Sequence, residues 1–363
     1  FMLKKTLGTL ALAMAFSGVA FAEEVKIGFL VKQAEEPWFQ TEWAFAEKAG
    51  KEHGFTVIKI AVPDGEKTLS AIDSLAANGA KGFVICPPDV SLGPAIVAKA
   101  KVNEAELTQS WDSFIQGGQK IKQSTGAYLV AHARDVKDIV IRTGIPEGQG
   151  VYFDAQGKSV IDSSPRFKRG FEVAQKIRAQ GLDAKINAWS NEWGESLKRG
   201  TVSVQMMGAW LGGHLQNWLA PNTSGLWRST ALPERVATSW GGTFYAIPKK
   251  AVNKDKAWDL IQHLTLNTRQ QQLAFEKYNA FPALIAAQSG DFFSQPVAFL
   301  GGQKARLDWK ATAMQIKPTQ VFRNDSVAEE IVNAELDLVL NKNKPIDQAL
   351  KDAHRLVQRR ASR

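Results

Sequence analysis

The sequence predicts an α/β fold built on parallel sheets. Strand-like apolar runs at 25–31, 55–62 and 81–88 alternate with helical patterns at 42–54 and 64–79. Strands that alternate with helices at this spacing form βαβ units and therefore a parallel sheet. The chain has 363 residues, 44% of them apolar and 22% charged, which is enough for two domains with ordinary globular cores.

The early elements have recognisable boundaries. Gly54 ends the first helix, and Asp64 and Gly79 are the candidate N-cap and stop of the second. Two prolines, at 87–88, stop the third strand, and a third helix is expected over 91–101. The carboxyl ends of such strands are where open parallel sheets bind ligands.

After residue 101 the strict alternation ends, but regular elements continue. Helices are predicted at 111–126, 166–181, 253–267, 268–279 and 326–360, the last one split near Pro345. Strands are predicted at 127–132 and 201–210, with a strand-like run containing paired glycines at 238–250.

The N-terminus predicts export. Lys4 and Lys5 precede an apolar run, and Ala20-Phe21-Ala22 supplies small residues at the −3 and −1 positions of a cleavage site. We therefore expect a signal peptide over 1–22 and a periplasmic mature chain. No later stretch approaches 18 uninterrupted apolar residues, the length expected of a membrane-spanning helix.

Composition and motifs exclude several classes of function. The single cysteine, Cys86, permits neither a disulfide within the chain nor a cysteine-based metal site. The net charge is +9, but no basic stripe is interleaved with aromatic residues, so we expect no nucleic-acid partner. No glycine-rich nucleotide motif follows a strand, and the histidines lack metal-ligand spacing, so no cofactor or metal is expected.

A dense cluster of polar and aromatic residues follows the first strand. GFLVKQAEEPWFQTEW (28–43) contains Lys32, Glu36, Trp38 and Phe39 where the strand should end. Three interpretations are open: a solvated charged loop, a catalytic carboxylate pair, or a site that grips a ligand. The side chains of adjacent residues such as Glu35 and Glu36 usually point apart, whereas a glycosidase needs two carboxyl groups that face each other. The residues therefore favour a site that binds a ligand without a reaction. Lysine and glutamate can hydrogen-bond hydroxyls while an aromatic ring covers an apolar C–H face.

Two glycine-rich stretches further on carry tryptophans. GAWLGGH (208–214) contains Trp210, and SWGGTFYAIP (239–248) contains Trp240 and Gly241. Glycines allow a backbone to approach a ligand closely, so these three residues are candidate ligand contacts, with packing as the alternative. Trp189, Trp193 and His214 are weaker candidates.

The first hundred residues resemble a known family. KIGFLVKQAEEPWFQTEW, FTVIKIAVPDGEKTLSAIDSLAANGAKGFVIC and LGPAIVAKAK, within about 23–101, closely resemble the periplasmic L-arabinose-binding proteins of bacteria. The resemblance implies a sugar held between two lobes, without a reaction. The first-lobe contacts that it implies are Lys32, Glu36, Trp38, Phe39 and Cys86.

A second resemblance covers about 106–363. LTQSWDSFIQGGQKIK, AYLVAHARDV, VSVQMMGAWLGG, WGGTFYAIPKKAVNKDKAWDLIQHLT and YNAFPAL resemble the maltose-binding-protein-like family of ABC sugar importers. The usual N-terminal βαβ portion of that family is missing, as is the acidic fourth strand of the L-arabinose-binding family. The chain therefore resembles a hybrid of two binding-protein classes.

Together the resemblances imply a two-lobe, periplasmic-binding-protein-like α/β fold with a hinge. The first lobe is expected to combine 23–105 with 236–285, and the second to combine 106–235 with 286–363. The implied function is that of a monomeric sugar-binding component of an ABC importer, with a pentose such as L-arabinose as ligand and a membrane permease as partner. A chemoreceptor is a further partner that the resemblance allows. The alternatives are a non-functional fusion of two incomplete proteins and a carbohydrate-active enzyme.

Overall fold

The structure is a computed structural model that describes residues 25–32, 34–86 and 104–361. Its strands are β1 (Val25–Val31), β2 (Phe55–Ala61), β3 (Gly82–Cys86), β4 (Tyr128–Val130) and β5 (Val202–Val204). Its α-helices are α1 (Pro37–His53), α2 (Gly65–Ala77), α3 (Glu104–Thr108), α4 (Trp111–Thr125), α5 (Ala133–Ile141), α6 (Pro165–Ala179), α7 (Asn191–Lys198), α8 (Leu211–His214), α9 (Lys254–Leu266), α10 (Thr268–Tyr278), α11 (Ala305–Ala313), α12 (Asp325–Lys342) and α13 (Ile346–Ala361). A π-helix covers Leu215–Leu219, and short 3₁₀ turns cover Pro221–Thr223, Pro233–Arg235, Ile285–Ala287, Asp291–Ser294 and Ala298–Leu300.

The first sheet has the strand order β2-β1-β3, and both pairings are parallel. Phe29 and Val31 of β1 face α1, whose Trp43 donates a hydrogen bond from Nε1 to the Phe29 carbonyl at 3.0 Å. Leu30 faces the opposite way, onto Leu75 of α2. Since successive side chains of a strand point to opposite faces, the two crossover helices cover the two sides of β1. The predicted parallel βαβ arrangement is confirmed here.

Helix α1 begins five residues earlier than the sequence pattern predicted. Pro37 occupies the first turn and Glu36 is the N-cap residue in an extended conformation. Proline is well suited to the first turn, because its missing N–H would have no partner there and its φ is already helical. Trp38 and Phe39 therefore belong to a helix, not to a loop. The Asp64 cap was predicted correctly, and its carboxylate accepts from the Lys67 N–H at 2.8 Å.

The second sheet consists of β4 and β5, also parallel but only three residues each. The predicted strand at 238–250 is wrong, since no strand forms there. Gly241 and Gly242 have φ values of +64° and +155°, which interrupt an extended chain. The expected signal peptide and the expected helix at 91–101 lie outside the described residues.

The largest core is shared between distant parts of the chain. Helices α4, α5 and α6 meet the C-terminal helices α12 and α13 around the buried Leu129, Phe167, Phe171 and Val332. The predicted break near Pro345 is confirmed, because α12 ends at Lys342 and α13 begins at Ile346. No helix in the described ranges is both long and apolar enough to cross a membrane.

A buried lysine lies at the contact between α5 and α12. Lys137 is fully buried, and its ammonium donates to the Asp138 carboxylate and to Asn333 Oδ1, the latter at 2.6 Å. Burial lowers the pKa of Lys137, because a charged ammonium is poorly solvated there. Next to it, Arg134 pairs with Asp337 at 2.7 Å. These contacts fix the position of α12 on α5.

A second core lies beneath the tryptophan-rich stretch. Trp193, Leu211, Leu215 and Leu219 pack there against Phe299 and its neighbours. Gly213 of α8 is in very close contact with the end of α10. A Cβ at this position would lie 2.7 Å from the Tyr278 carbonyl oxygen, so the close approach requires glycine.

We predict that Gly213→Ala lowers the unfolding free energy by about 1–3 kcal/mol, because the new methyl group would force the α10 backbone to move. Gly212→Ala is the matched control in the same short helix. Its Cβ would meet only Trp309, at 3.7 Å, so little or no loss is expected. Urea denaturation of both variants measures the difference. Equal stability of the two would contradict the proposed packing role of Gly213.

Candidate functional site

The carboxyl end of the first sheet brings together three predicted contact residues. In the parallel register Val31 pairs with Cys86, so the end of β3 lies beside Lys32. Lys32 is half-buried and follows β1 directly, while the exposed Glu36 occupies the N-cap position of α1 four residues later, without a side-chain hydrogen bond to the helix. A cation and a carboxylate therefore stand at the edge of the sheet where open α/β folds bind ligands.

The neighbouring aromatic residues are placed differently from each other. Phe39 is 5% exposed and packs against Val31 and Trp43, so most of its ring serves the core. The side chains of Trp38 and Cys86 lie outside what the structure describes, although both backbones are placed. The contact of Trp38, Phe39 and Cys86 with a ligand stays a prediction.

The structure also brings together the two predicted tryptophans of the later stretches. Trp210 Nε1 donates to the carbonyl oxygen of Trp240 at 3.3 Å. The ring of Trp240 lies under the Arg142 guanidinium, 5.7 Å from it, at the edge of the large core. Gly241 follows with its left-handed backbone and is exposed. Both indoles are half-buried, so each combines packing with some accessible surface.

His214 organises a larger aromatic cluster than the sequence predicted. Its ring lies edge-on to Trp189, Trp210 and Trp218, at centroid distances of 5.8, 5.5 and 5.6 Å. His214 Nδ1 accepts a hydrogen bond from Trp218 Nε1 at 2.8 Å. This histidine therefore makes a local hydrogen bond to a residue four positions later. Trp189 stacks on Trp210 at 5.9 Å and 18°. Trp218 was missed, although its i+4 spacing from His214 could have indicated a shared helical face.

A buried carboxylate lies below this cluster. Trp193 Nε1 donates to Gln205 Oε1 at 2.9 Å, and Gln205 is also hydrogen-bonded to Asp135 in the first turn of α5. Asp135 Oδ2 is buried without a partner among the described residues. Burial, and to a smaller extent the Asp138 carboxylate, raises the pKa of Asp135 to about 6.

Each of these two groups of side chains is suited to binding. Indole rings can cover the C–H face of a ligand, while Lys32 and Glu36 can donate to and accept from hydroxyl groups. Within the described ranges, no group of three or more His, Cys, Asp and Glu side chains is arranged to hold a metal ion.

We predict that Asp135→Asn stabilises the protein by about 3 kcal/mol at pH 7.5 and by about 1 kcal/mol at pH 4.5. The folded pKa of about 6 lies above the unfolded value. The folded state therefore binds more protons than the unfolded state between these values, and stability falls as pH rises through them. The amide removes this loss. Urea denaturation at the two pH values provides the measurement.

Asp112→Asn serves as the control for this prediction. Asp112 also lies in the first turn of a helix, but its side chain is 75% exposed. We expect a change of less than about 0.5 kcal/mol at both pH values. An Asp135→Asn variant whose stability gain is the same at both pH values would refute the assignment.

Known proteins match the N-terminal part of the chain. Residues 24–140 match the family model described as periplasmic binding proteins and sugar binding domain of LacI family. The chain is 48% identical over 183 residues to the L-arabinose-binding periplasmic protein of Escherichia coli, which is 49% of this chain and 50% of that protein. The chain thus spans about half the length of this relative. The family match continues beyond residue 101, where the sequence resemblance was expected to end.

A different relative covers more of the chain. Over 253 residues, 67% of this chain and 58% of the relative, it is 26% identical to the lactose-binding protein of Rhizobium radiobacter. The two matches cover 49% and 67% of this chain, so they overlap.

Solved structures share the overall fold. The crystal structure of an extracellular solute-binding protein family 1 aligns with a TM-score of 0.58 and 15% identity, covering 93% of this chain and 99% of that one. The sugar-binding protein MalE of Xanthomonas citri aligns with a TM-score of 0.55 and 15% identity, covering 93% and 98%. The chain therefore has the fold of the two-lobe periplasmic binding proteins, with an N-terminal segment similar to L-arabinose-binding proteins.

Proposed function

We propose that this chain is the exported sugar-binding component of an ABC importer and binds a pentose such as L-arabinose in a cleft between two lobes. The observation that carries this proposal is the position of Lys32 and Glu36 at the carboxyl edge of the first sheet, within the segment similar to the L-arabinose-binding protein of Escherichia coli. Export rests on the expected signal peptide over 1–22. The chain binds without catalysing a reaction and acts as a monomer that delivers the sugar to a membrane permease or presents it to a chemoreceptor.

The binding mechanism uses two kinds of contact. Lys32 donates to a sugar hydroxyl and Glu36 accepts from one, and such charge-assisted hydrogen bonds are stronger than neutral ones. Trp38 from one lobe and Trp210 or Trp240 from the other cover the apolar face of the ring. Hinge closure around the sugar excludes water from these contacts.

The lobe assignment is part of the proposal. The first lobe combines 23–105 with 236–285, and the second combines 106–235 with 286–363. Among the residues that the structure describes, both parts of the first lobe leave apolar surface uncovered. A hollow of about 380 Å³, lined in part by Ile58, Ile60 and Leu75, lies beside β2 and α2.

The other part of the proposed first lobe has a matching excess of exposed apolar side chains. Helix α9 has no buried residue. The exposed side chains of this segment include Phe244 (91%), Val252 (93%), Trp258 (48%), Leu260 (59%) and Leu266 (55%). Burial of this surface against the first sheet would favour lobe formation. Phe275 of α10 instead packs on Phe292, Phe293 and Trp309, which ties the end of the segment to the proposed second lobe.

We predict that Lys32→Ala weakens L-arabinose binding about 10- to 100-fold, because one charged hydrogen bond contributes about 1.5–3 kcal/mol. Isothermal titration of the mature chain measures the dissociation constant.

Lys51→Ala is the matched control for this prediction, because Lys51 is exposed in the last turn of α1, at the opposite end of that helix from Glu36. Its affinity should stay within about twofold of the parent. Equal affinities of both variants would remove Lys32 from the site. Absence of any sugar binding by the parent chain would instead support the alternative of a non-functional fusion.

We also predict that L-arabinose slows tryptic cleavage after Lys249 and Lys250 by about tenfold, if 236–285 closes onto the first sheet when the sugar binds. Both lysines are exposed. Cleavage after Lys158, an exposed turn residue of the proposed second lobe, is the internal control and should not change. Mass spectrometry of the fragments follows both sites. Unchanged rates at all three lysines in a protein that binds the sugar would contradict the lobe assignment.

A further inference from the structure

Two large aromatic side chains remain exposed in the cluster of rings around Trp210 and His214. Trp189 is 54% exposed and Trp218 is 57% exposed, although indoles are among the side chains that gain most from burial. Each is held in place by specific contacts. Trp189 stacks on Trp210, and Trp218 is hydrogen-bonded to His214. Exposed aromatic surface that is held rigidly in this way is typical of a binding site.

The backbone around both residues is unusual. Trp189 has a φ of +70°, a left-handed conformation that is unfavourable for a bulky residue. Trp218 lies in the π-helix Leu215–Leu219, a rare conformation that is frequent at functional sites. Because such local strain is concentrated at sites that clamp ligands, it gives a reason for the exposure of both indoles.

A hollow lies between the two indoles. Its volume is about 230 Å³, and Trp189 and Trp218 form walls of it. This is below the roughly 300–1,000 Å³ of pockets that accept drug-sized ligands, and it suits a single small ring.

The hollow also has polar groups at its rim. Glu195 and Lys198 line it and form an ion pair of 2.8 Å at the surface. Lys198 donates one hydrogen bond to Glu195, while an ammonium has three donors. The exposed Asn191 adds an amide donor and acceptor. The polar groups of Glu195, Lys198 and Asn191 can hydrogen-bond the equatorial hydroxyls of a sugar, while the indoles can cover its C–H face.

We propose that this hollow is a further sugar subsite that takes one pyranose ring, either as a free hexose or as one unit of a longer saccharide. None of the residues that line the hollow is among the pentose contacts proposed above. The ring lies with a C–H face on Trp218, with its hydroxyls toward Glu195 and Lys198. His214 is a positioning residue, because it holds Trp218 through the hydrogen bond at Nδ1. This inference rests on the proposed function and extends it to the second part of the chain.

The test is isothermal titration of the full chain with L-arabinose, D-galactose and lactose. Trp218→Ala should weaken binding of D-galactose, lactose or both by about tenfold or more, because a stacking surface is lost. L-arabinose affinity should change by less than about twofold. Trp218→Phe keeps an aromatic wall and should retain most of the affinity. Phe45→Ala, which removes an exposed ring on α1, is the control and should change nothing.

The outcomes separate this inference from the proposed function. A chain that binds L-arabinose but neither D-galactose nor lactose overturns the subsite alone, as does binding of D-galactose or lactose that Trp218→Ala leaves unchanged. A chain that binds no sugar overturns both. Binding of D-galactose shows that the subsite accepts a free hexose, whereas binding of lactose without D-galactose shows that it accepts the ring only as a unit of a longer saccharide. Melting temperatures check that the variants fold, and Trp218→Leu, which keeps an apolar side chain but lacks a flat stacking surface, replaces Trp218→Ala if that variant does not.

Discussion

The buried ammonium of Lys137 is the constraint on which the larger half of this molecule depends. A charge in a core requires partners, and these come from the adjacent Asp138 and, nearly two hundred residues later, from Asn333. Satisfying Lys137 therefore fixes α12 against α5. With α12 in place, the large core around Phe167 and Phe171 closes.

The aromatic cluster depends on this arrangement through α5. Asp135 precedes Lys137 on the same helix, and its hydrogen bond to Gln205 leads to the buried indole of Trp193. Trp193 in turn supports Trp189, whose ring lies 5.1 Å away. The surface proposed to bind sugar is therefore supported by a core whose geometry a buried charge determines.

The two parts of the chain differ in how completely they are packed. The core of α4, α5, α6, α12 and α13 is extensive, whereas the described part of the first sheet has three strands and a hollow beside β2. The apolar side chains of 236–285 likewise remain exposed. Whether a sugar brings these surfaces together determines whether the chain works as one binding protein.

The sequence alone determined the βαβ unit, the Asp64 cap, the paired helices after residue 253 and the break near Pro345, because strand alternation, caps and prolines act locally. It also placed Lys32 and Cys86 at the same edge of a parallel sheet. The early start of α1 and the absence of a strand at 238–250 also have local causes, in Pro37 and in the pair Gly241–Gly242. Only the tertiary structure decided which residues surround Trp210. That outcome depends on contacts between residues far apart along the chain, such as the Trp210 bond to Trp240, the stacking of Trp189 on Trp210 and the packing of Gly213 on Tyr278, which local patterns do not encode.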